Sequence, residues 1–318
     1  DGFNTAVGDH SGTSLTTGVQ NTLIGAQAGD ALTDADFNIS VGVNALGADT
    51  LGSRSVAVGH SALEVQNFTT ATDTYNTAIG HFAGGSTTTG VQNTLIGGNA
   101  GDALTVGTRN VALGTDALGG DTQGSRSVAI GLSALFAQNF TTATDVYNVA
   151  VGAVAGSSIT TGKENTLIGG QTGDALTTGS YNTAVGYAAL SEEDAHGYNT
   201  AIGYVALLNQ NAGANAYNVA VGASAGQLVT TGTANTLIGG QAGDALTTGY
   251  DNVAIGTESL GSDTLGSKSI AIGVGALNAQ NFTTATDTHN VAIGFHAGND
   301  ITTGTFNTLI GGLAGDAL

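Results

Sequence analysis

The sequence predicts an all-β fold, a parallel β-solenoid of about eighteen coils. A five-residue phrase, Asn/Ser-x-x-Val/Ile/Leu-Gly, returns eighteen times along the 318 residues. Its alternating pattern favours a short strand. The chain has 52 glycines and no proline, which suits tight turns and excludes collagen. Repetition at so short a period is typical of one coil per repeat.

The spacing of the phrase reveals a second level of repetition. The phrase opens at Asn4, Asn21, Asn38 and Ser55 in equal steps, and the next step, to Asn76, is four residues longer. This order recurs along the chain, except that the long step from 199 to 218 exceeds the common step by only two residues. We expect residues 1–318 to form a single solenoid domain. Because the pattern runs to both ends, we expect it to belong to a longer chain or fibre. The recurring long step groups the coils in fours, here called blocks, which begin at Asn4, Asn76, Asn148, Asn218 and Asn290.

Composition excludes several classes of function. The chain has 24 acidic and five basic residues, a formal charge of −19, so we expect no nucleic-acid partner. No apolar run approaches the length of a membrane span, and we expect no direct membrane insertion in this segment. There is no Cys for disulfide or thiol chemistry. No Ser or Thr recurs beside a His and an acid, so we predict no enzymatic activity and no cofactor.

Each residue of the phrase has a predicted place in the coil. Thr77 and Ile79 share one face of a strand, and Ala78 lies on the other. We predict that the face with Thr77 and Ile79 points inward, because the fourth position is always Val, Ile or Leu. The small third residue would then face outward, where another chain can approach. The final glycine can adopt positive φ and turn the chain sharply.

The segment after this turn predicts a core column. Three residues after the glycine comes a small residue, followed by Gly in the first two coils of a block and Leu in the last two. A Thr-Thr-Gly turn, as at 88–90, then closes many coils. The predicted core column is Leu46, Leu63, Leu118, Leu135, Leu190, Leu207, Leu260 and Leu277.

The opening asparagine predicts a structural column at one corner of the coils. Stacked side-chain amides can donate to and accept from one another along the stack. The alternative is a stripe that binds carbohydrate or ions. Representative members of this column are Asn21, Asn93, Asn165, Asn235 and Asn307.

The acidic turns are similar to a calcium motif but lack its spacing. Residues 97–104, Gly-Gly-Asn-Ala-Gly-Asp-Ala-Leu, nearly fit the calcium-binding nonapeptide, and the phrase recurs around Asp174, Asp244 and Asp316. Such turns lie four coils apart, about 19 Å at the usual strand spacing, which is too far to share an ion. The histidines show no metal-ligand spacing either, so we predict no metal site.

Two charged columns lie near the phrases that open with Ser. Asp49, Asp121 and Asp263 lie in the preceding turn, and Arg54, Arg126 and Lys268 directly precede the phrase. Ion pairs between the two columns and solvated turns are both compatible with this pattern.

An insertion lengthens the fourth coil of most blocks. The sequence Gln-Asn-Phe-Thr-Thr-Ala-Thr-Asp occupies 66–73, and near-identical copies follow at 138–145 and 280–287. Insertions of this kind usually map to one face of a solenoid. The Phe either covers the core or helps to contact a receptor, and each Asn-Phe-Thr is also a glycosylation acceptor sequence. The candidate recognition residues are Asn67, Phe68, Thr69, Asn139, Phe140, Thr141, Asn281, Phe282 and Thr283.

Several phrases resemble those of a known family. Residues 55–59, Ser-Val-Ala-Val-Gly, and 127–131, Ser-Val-Ala-Ile-Gly, resemble the YadA-like head repeats of trimeric autotransporter adhesins. Residues 181–190 are similar to related repeats in bacteriophage tail fibres. The resemblance covers essentially the whole chain. It implies a left-handed parallel β-roll in which three identical chains surround a common axis, with the small residues of the phrase near that axis.

The chain also departs from that family. Its coils, such as the one that runs from Asn76 to the next phrase at Asn93, are longer than the adhesin head repeats. Nothing matches a neck, a coiled-coil stalk, a membrane anchor or an autocleaving chaperone domain. The resemblance therefore implies the fold and the trimer more than a bacterial or a phage origin.

These features favour a structural or adhesive fibre segment. We expect an extracellular location, at a cell surface or on a virion, a homotrimer, and a cell-surface glycan or protein as receptor. The alternative is a self-polymerising filament whose subunits stack end to end. Ice binding is disfavoured because the second position of the phrase is Thr in only half of the copies, so no unbroken Thr row forms.

Overall fold

The fold is a stack of parallel β-coils, as the repeat predicts. The computed structural model describes residues 2–316. These residues form 24 short strands and no helix. Eighteen of the strands have three residues, the second to fourth of each phrase, and six have two. The prediction of an all-β solenoid with about eighteen coils is confirmed.

The coils divide into two compact units, with the boundary between Thr161 and Gly162. Each unit contains nine three-residue strands. The strands of the first unit are β1 (Thr5–Val7), β2 (Thr22–Ile24), β3 (Ile39–Val41), β4 (Gly52–Ser53), β5 (Val56–Val58), β6 (Thr72–Asp73), β7 (Thr77–Ile79), β8 (Thr94–Ile96), β9 (Val111–Leu113), β10 (Gly124–Ser125), β11 (Val128–Ile130), β12 (Thr144–Asp145) and β13 (Val149–Val151). The strands of the second unit are β14 (Thr166–Ile168), β15 (Thr183–Val185), β16 (Thr200–Ile202), β17 (Val219–Val221), β18 (Thr236–Ile238), β19 (Val253–Ile255), β20 (Gly266–Ser267), β21 (Ile270–Ile272), β22 (Thr286–Asp287), β23 (Val291–Ile293) and β24 (Thr308–Ile310).

Equivalent positions of successive phrases lie side by side within each unit. Ile79 of β7 pairs with Ile96 of β8. The register also survives the longer steps: Val58 of β5 pairs with Ile79, and Ile202 of β16 pairs with Val221 of β17. The two-residue strands form separate parallel pairs, β4 with β6, β10 with β12 and β20 with β22. The insertions are therefore absorbed in loops.

The two faces of the strands are the reverse of the sequence prediction. The third residue points inward: Ala78 and Ala112 are fully buried, and Leu95 is 1% exposed. The fourth residue points outward, and Ile79 is 39% and Leu113 43% exposed. The predicted inward position of the large aliphatic residues was wrong because the narrow interior is already occupied by other leucines. The outward position of the small residue, where it would meet another chain, was wrong for the same reason.

The predicted leucine column is confirmed. All eight of its leucines are fully buried. In the second coil of a block, Gly takes this place and Leu takes the third position of the phrase, so a Cβ on Gly101 would lie 2.8 Å from Leu95 Cδ2. In the next coil the pair is Leu118 with Ala112. Between these two coils the large side chain moves from one position to the other, which keeps the interior closely packed.

The final glycine of the phrase is required by a close approach between coils as well as by the turn. Gly97 has a φ of +137°, a backbone conformation that residues other than Gly rarely adopt. A Cβ there would lie 2.4 Å from the carbonyl oxygen of Gly114 in the next coil. The neighbouring Gly98 meets nothing within 4 Å and carries no such constraint.

The side chains of the asparagine column bond to the backbone of neighbouring coils. Asn93 Nδ2 donates to the carbonyl of Gly107 at 2.9 Å, and Asn93 Oδ1 accepts from the backbone N–H of Asn110 at 2.9 Å. The predicted amide-to-amide bonds occur at only some steps, such as Asn21 Nδ2 to Asn4 Oδ1 at 3.1 Å. The side chain of Asn93 is fully buried, so it offers no surface to a carbohydrate or an ion. The geometry supports a structural role with backbone partners.

Where the phrase opens with Ser, a buried polar network replaces the asparagine. Gln66 Nε2 donates to Ser55 Oγ at 2.9 Å and to Asp49 Oδ2 at 2.6 Å. Gln66 Oε1 accepts from Asn76 Nδ2 at 2.8 Å. The second unit has the same network around Gln280. The short Ser side chain, the Gln and the Asp therefore occur together because they bond to one another.

Candidate functional surface

Each unit exposes an uncharged stripe of Val, Ile, Leu and Thr side chains, which we call the aliphatic ribbon. It consists of the side chains at the second and fourth positions of the phrase, which point away from the interior. The fourth-position residues of the first unit are Val7, Ile24, Val41, Val58, Ile79, Ile96, Leu113, Ile130 and Val151. Those of the second unit are Ile168, Val185, Ile202, Val221, Ile238, Ile255, Ile272, Ile293 and Ile310.

The ribbon is large enough to be an interaction surface. Nine strands about 4.8 Å apart extend it over about 40 Å in each unit, and a strand of three residues is about 10 Å long. The product, on the order of 400 Å², is the area of the whole stripe with its threonines included, and it is comparable with the largest surface patches of monomeric proteins, which are often functional. The three-residue strands of the described chain contain no charged residue. The acidic charge of the protein therefore lies outside the ribbon.

The insertion loops are anchored by a buried ring. Phe68 and Phe140 are 7% and Phe282 6% exposed, so the interpretation that Phe covers the core is confirmed. The backbone N–H of Phe68 donates to Asp49 Oδ1 at 3.1 Å. These rings lie inside the fold and are not available to a receptor. The exposed members of the predicted recognition set are Asn67, Thr69, Asn139, Thr141, Asn281 and Thr283.

The charged residues beside the Ser-type phrases pair with the loops. Arg54 Nε lies 2.8 Å from Asp73, and Lys268 Nζ lies 2.6 Å from Asp287. The pKa of Asp287 lies below its usual range because Lys268 donates a hydrogen bond to it. Pairing of Arg54 with Asp49 does not occur, because Asp49 is buried against Gln66. The predicted solvated turn at Asp49 was also wrong.

An aromatic column, which sequence reasoning missed, precedes the phrases. The rings of Tyr181 and Tyr198 stack with centroids 4.9 Å apart, and those of Tyr198 and Tyr217 with centroids 5.1 Å apart. All three residues are exposed. Because each ring covers the face of the next, edges and hydroxyls meet the solvent. The available signal was the repeated aromatic residue directly before the phrase.

The structure also gathers three potential metal ligands. Glu193, Asp194 and His196 place their ligand atoms within 4.8 Å of one another, and residues 2–316 contain no other such group of three or more. The calcium-like turns thus remain separate. At Asp102 and Asp244, burial raises the pKa of the carboxyl. The sequence signal for the new group was an Asp-x-His that directly follows an acid, and each complete block has an acid at this position.

Comparison with known proteins identifies no relative among family models or curated sequences. No protein-family model and no curated protein sequence matches the chain. Nowhere in residues 2–316 does a helix have the length and apolar character needed to cross a bilayer.

Proposed function

We propose that the chain is a segment of an extracellular structural or adhesive fibre, in which three copies associate side by side through the aliphatic ribbon. The observation that carries this proposal is the ribbon, an uncharged face that repeats at one fixed pitch. Covering it removes Val, Ile and Leu side chains from water, which is favourable in proportion to the area covered.

A second copy of the chain is the occupant that fits the ribbon best. Two copies with parallel strands have the same pitch of about 4.8 Å per coil, so their side chains can interleave along the whole stripe. An unrelated globular partner has no such matching period. The formal charge of −19 per chain stays outside the contact, since the ribbon strands carry none of it. This charge keeps assembled fibres soluble.

In this proposal the insertion loops carry the adhesive contacts. The exposed Asn67 and Thr69 recur in equivalent loops at 138–145 and 280–287. Repeated display of one weak contact raises the overall affinity for a surface that carries many copies of a glycan or protein receptor. We therefore assign scaffold and assembly to the coils, and recognition to the loops.

Assembly is tested by the mass of the protein in solution. We expect a discrete species of three times 31.0 kDa by light scattering. The double variant Ile79→Glu/Leu113→Glu places two charges on the ribbon and should yield a monomer with an unchanged circular dichroism spectrum. The matched control is Thr89→Glu, at an exposed turn, which should remain a trimer.

Two outcomes would contradict the proposal. A wild-type chain that is monomeric at micromolar concentration would remove the assembly claim. An assembly that tolerates both ribbon charges would place the contact elsewhere. Open-ended polymers in place of a discrete species would favour the filament alternative.

A further inference from the structure

In each of the four complete blocks, the third coil contains a buried acid at one fixed position, eleven residues after the opening asparagine. In three blocks this residue is Asp49, Asp121 or Asp263, and in the remaining block it is Glu193. All four side chains are fully buried. The repeat thus supplies an internal comparison for the environment of Glu193.

The aspartates of the other blocks have a partner for each oxygen. Asp263 Oδ1 accepts from the backbone N–H of Gly266 at 3.0 Å and of Phe282 at 3.2 Å. Asp263 Oδ2 accepts from Gln280 Nε2 at 2.6 Å. Each oxygen of this buried carboxylate therefore has a donor from the protein.

Glu193 lacks the last of these partners. Its Oε1 accepts from the backbone N–H of His196 at 3.1 Å, and the backbone of Ala212 also donates to this carboxylate. Its Oε2 is buried and has no hydrogen bond. The equivalent glutamine, Gln210, donates instead to the carbonyl of Thr230 at 3.1 Å. The block around Glu193 is the one whose long step is two residues shorter than in the other blocks, so its fourth coil is built differently.

A histidine and a second acid lie beside the carboxylate of Glu193. His196 occupies the place of Gly266 and Asp194 that of Thr264. His196 Nδ1 is buried and lies within ion-pair distance of Glu193 Oε1, at 3.4 Å. Asp194 is exposed, so one side of the group is open to water. The ligand atoms of the three residues lie within 4.8 Å of one another, and the buried Glu193 Oε2 has no hydrogen bond.

We propose that Glu193, Asp194 and His196 bind a divalent transition-metal ion of the Zn²⁺ type. One imidazole and two carboxylates form a donor set that Zn²⁺ accepts, and three protein ligands leave a position for water. Ca²⁺ takes oxygen ligands, so it would not be expected to bind the imidazole nitrogen. The ion would neutralise the buried carboxylate and hold the turn at 193–196, which elsewhere is held by the glutamine.

This site is independent of the proposed assembly, because it lies in a turn and not on the ribbon. Burial raises the pKa of Glu193, so the carboxyl can instead take a proton when no ion is present. That neutral state is the competing account of the same unpartnered oxygen. Metal titration distinguishes the two accounts.

The test uses the full chain after dialysis against EDTA. We expect isothermal titration with ZnCl₂ to show one high-affinity ion per chain, and Co²⁺ to give ligand-field absorption bands at the same stoichiometry. His196→Gly and Asp194→Thr restore the residues of the other blocks, so both should fold. Losing a ligand should weaken Zn²⁺ binding by at least about tenfold, the lower end of what even an outer-shell partner contributes.

Controls separate this site from adventitious histidine binding. His81 stacks on His60 with ring centroids 5.3 Å apart, and this exposed pair could also attract Zn²⁺. The variant His81→Ala should keep the high-affinity ion. The proposal is overturned if the wild-type chain binds no Zn²⁺. It is equally overturned if binding survives in both His196→Gly and Asp194→Thr, or disappears only in His81→Ala.

Discussion

Replacement of one corner asparagine should destabilise the stack far more than its size suggests. In Asn93→Ala, the carbonyl of Gly107 and the N–H of Asn110 lose their side-chain partner. Both residues are buried, so water cannot easily replace the lost bonds. An unsatisfied buried polar group costs about 1–3 kcal/mol. For two such groups we expect a loss of about 2–6 kcal/mol in the free energy of unfolding.

Urea unfolding followed by circular dichroism measures this loss. The matched control is Asn211→Ala, which removes an exposed asparagine from a loop and should change stability little. The variant Asn93→Asp separates the two bonds, because it keeps an acceptor for Asn110 and loses the donor to Gly107. A loss below about 0.5 kcal/mol in Asn93→Ala, the range of ordinary surface substitutions, would refute the reasoning.

Three further predictions concern the core, the coil spacing and the loops. Leu118→Ala should lower the free energy of unfolding by about 2–5 kcal/mol, because it opens a cavity in a closely packed interior; chemical denaturation checks this. Gly97→Ala should lower it by at least about 2 kcal/mol through the clash and the positive φ, whereas Gly98→Ala should have little effect; equal effects on the melting temperature would contradict this. Lys268→Gln should raise the pKa of Asp287 toward its usual range, since it removes the strongest donor to that carboxylate; a carbon-detected NMR titration with no change in this pKa would count against the pairing.

The leucine column shows which part of the fold could be predicted from sequence. Leu118 and its equivalents recur at one place in the repeat, and a column of identical apolar residues has one sensible location, the interior. The strand positions could be predicted for the same reason, since the phrase sets them locally. The existence of a coil is thus a property of a few adjacent residues.

The orientation of the strands could not be obtained in the same way. The phrase alternates Thr77, Ala78 and Ile79, and hydrophobicity alone assigns the isoleucine to the interior. The interior instead takes Ala78, because Leu63 and Leu95 of the flanking coils reach to within 3.0 Å of a Cβ placed on Gly84. A correlation was nevertheless present in the sequence: Leu in the phrase accompanies Gly in the column.

The candidate surfaces, too, could be predicted only in part from the sequence. The loops at 66–73, 138–145 and 280–287 were visible as insertions, and the structure added that their Phe side chains are buried. The ribbon was visible in the sequence as a repeated Val, Ile or Leu, but the prediction placed these side chains in the interior instead of on the surface. The group of Glu193, Asp194 and His196 follows from adjacent residues, yet its significance depends on Gln210 bonding elsewhere.

The sequence by itself determined the coil, its period and the block of four coils, because these follow from residues that are neighbours in the chain. The tertiary structure alone decided which side of each strand is inside, since that depends on how much volume the adjacent coils leave. It also decided which buried oxygen lacks a partner, because a hydrogen bond depends on distances of a few tenths of an ångström between separate coils. The exposed ribbon and the Glu193 group, on which both proposals depend, belong to this second class.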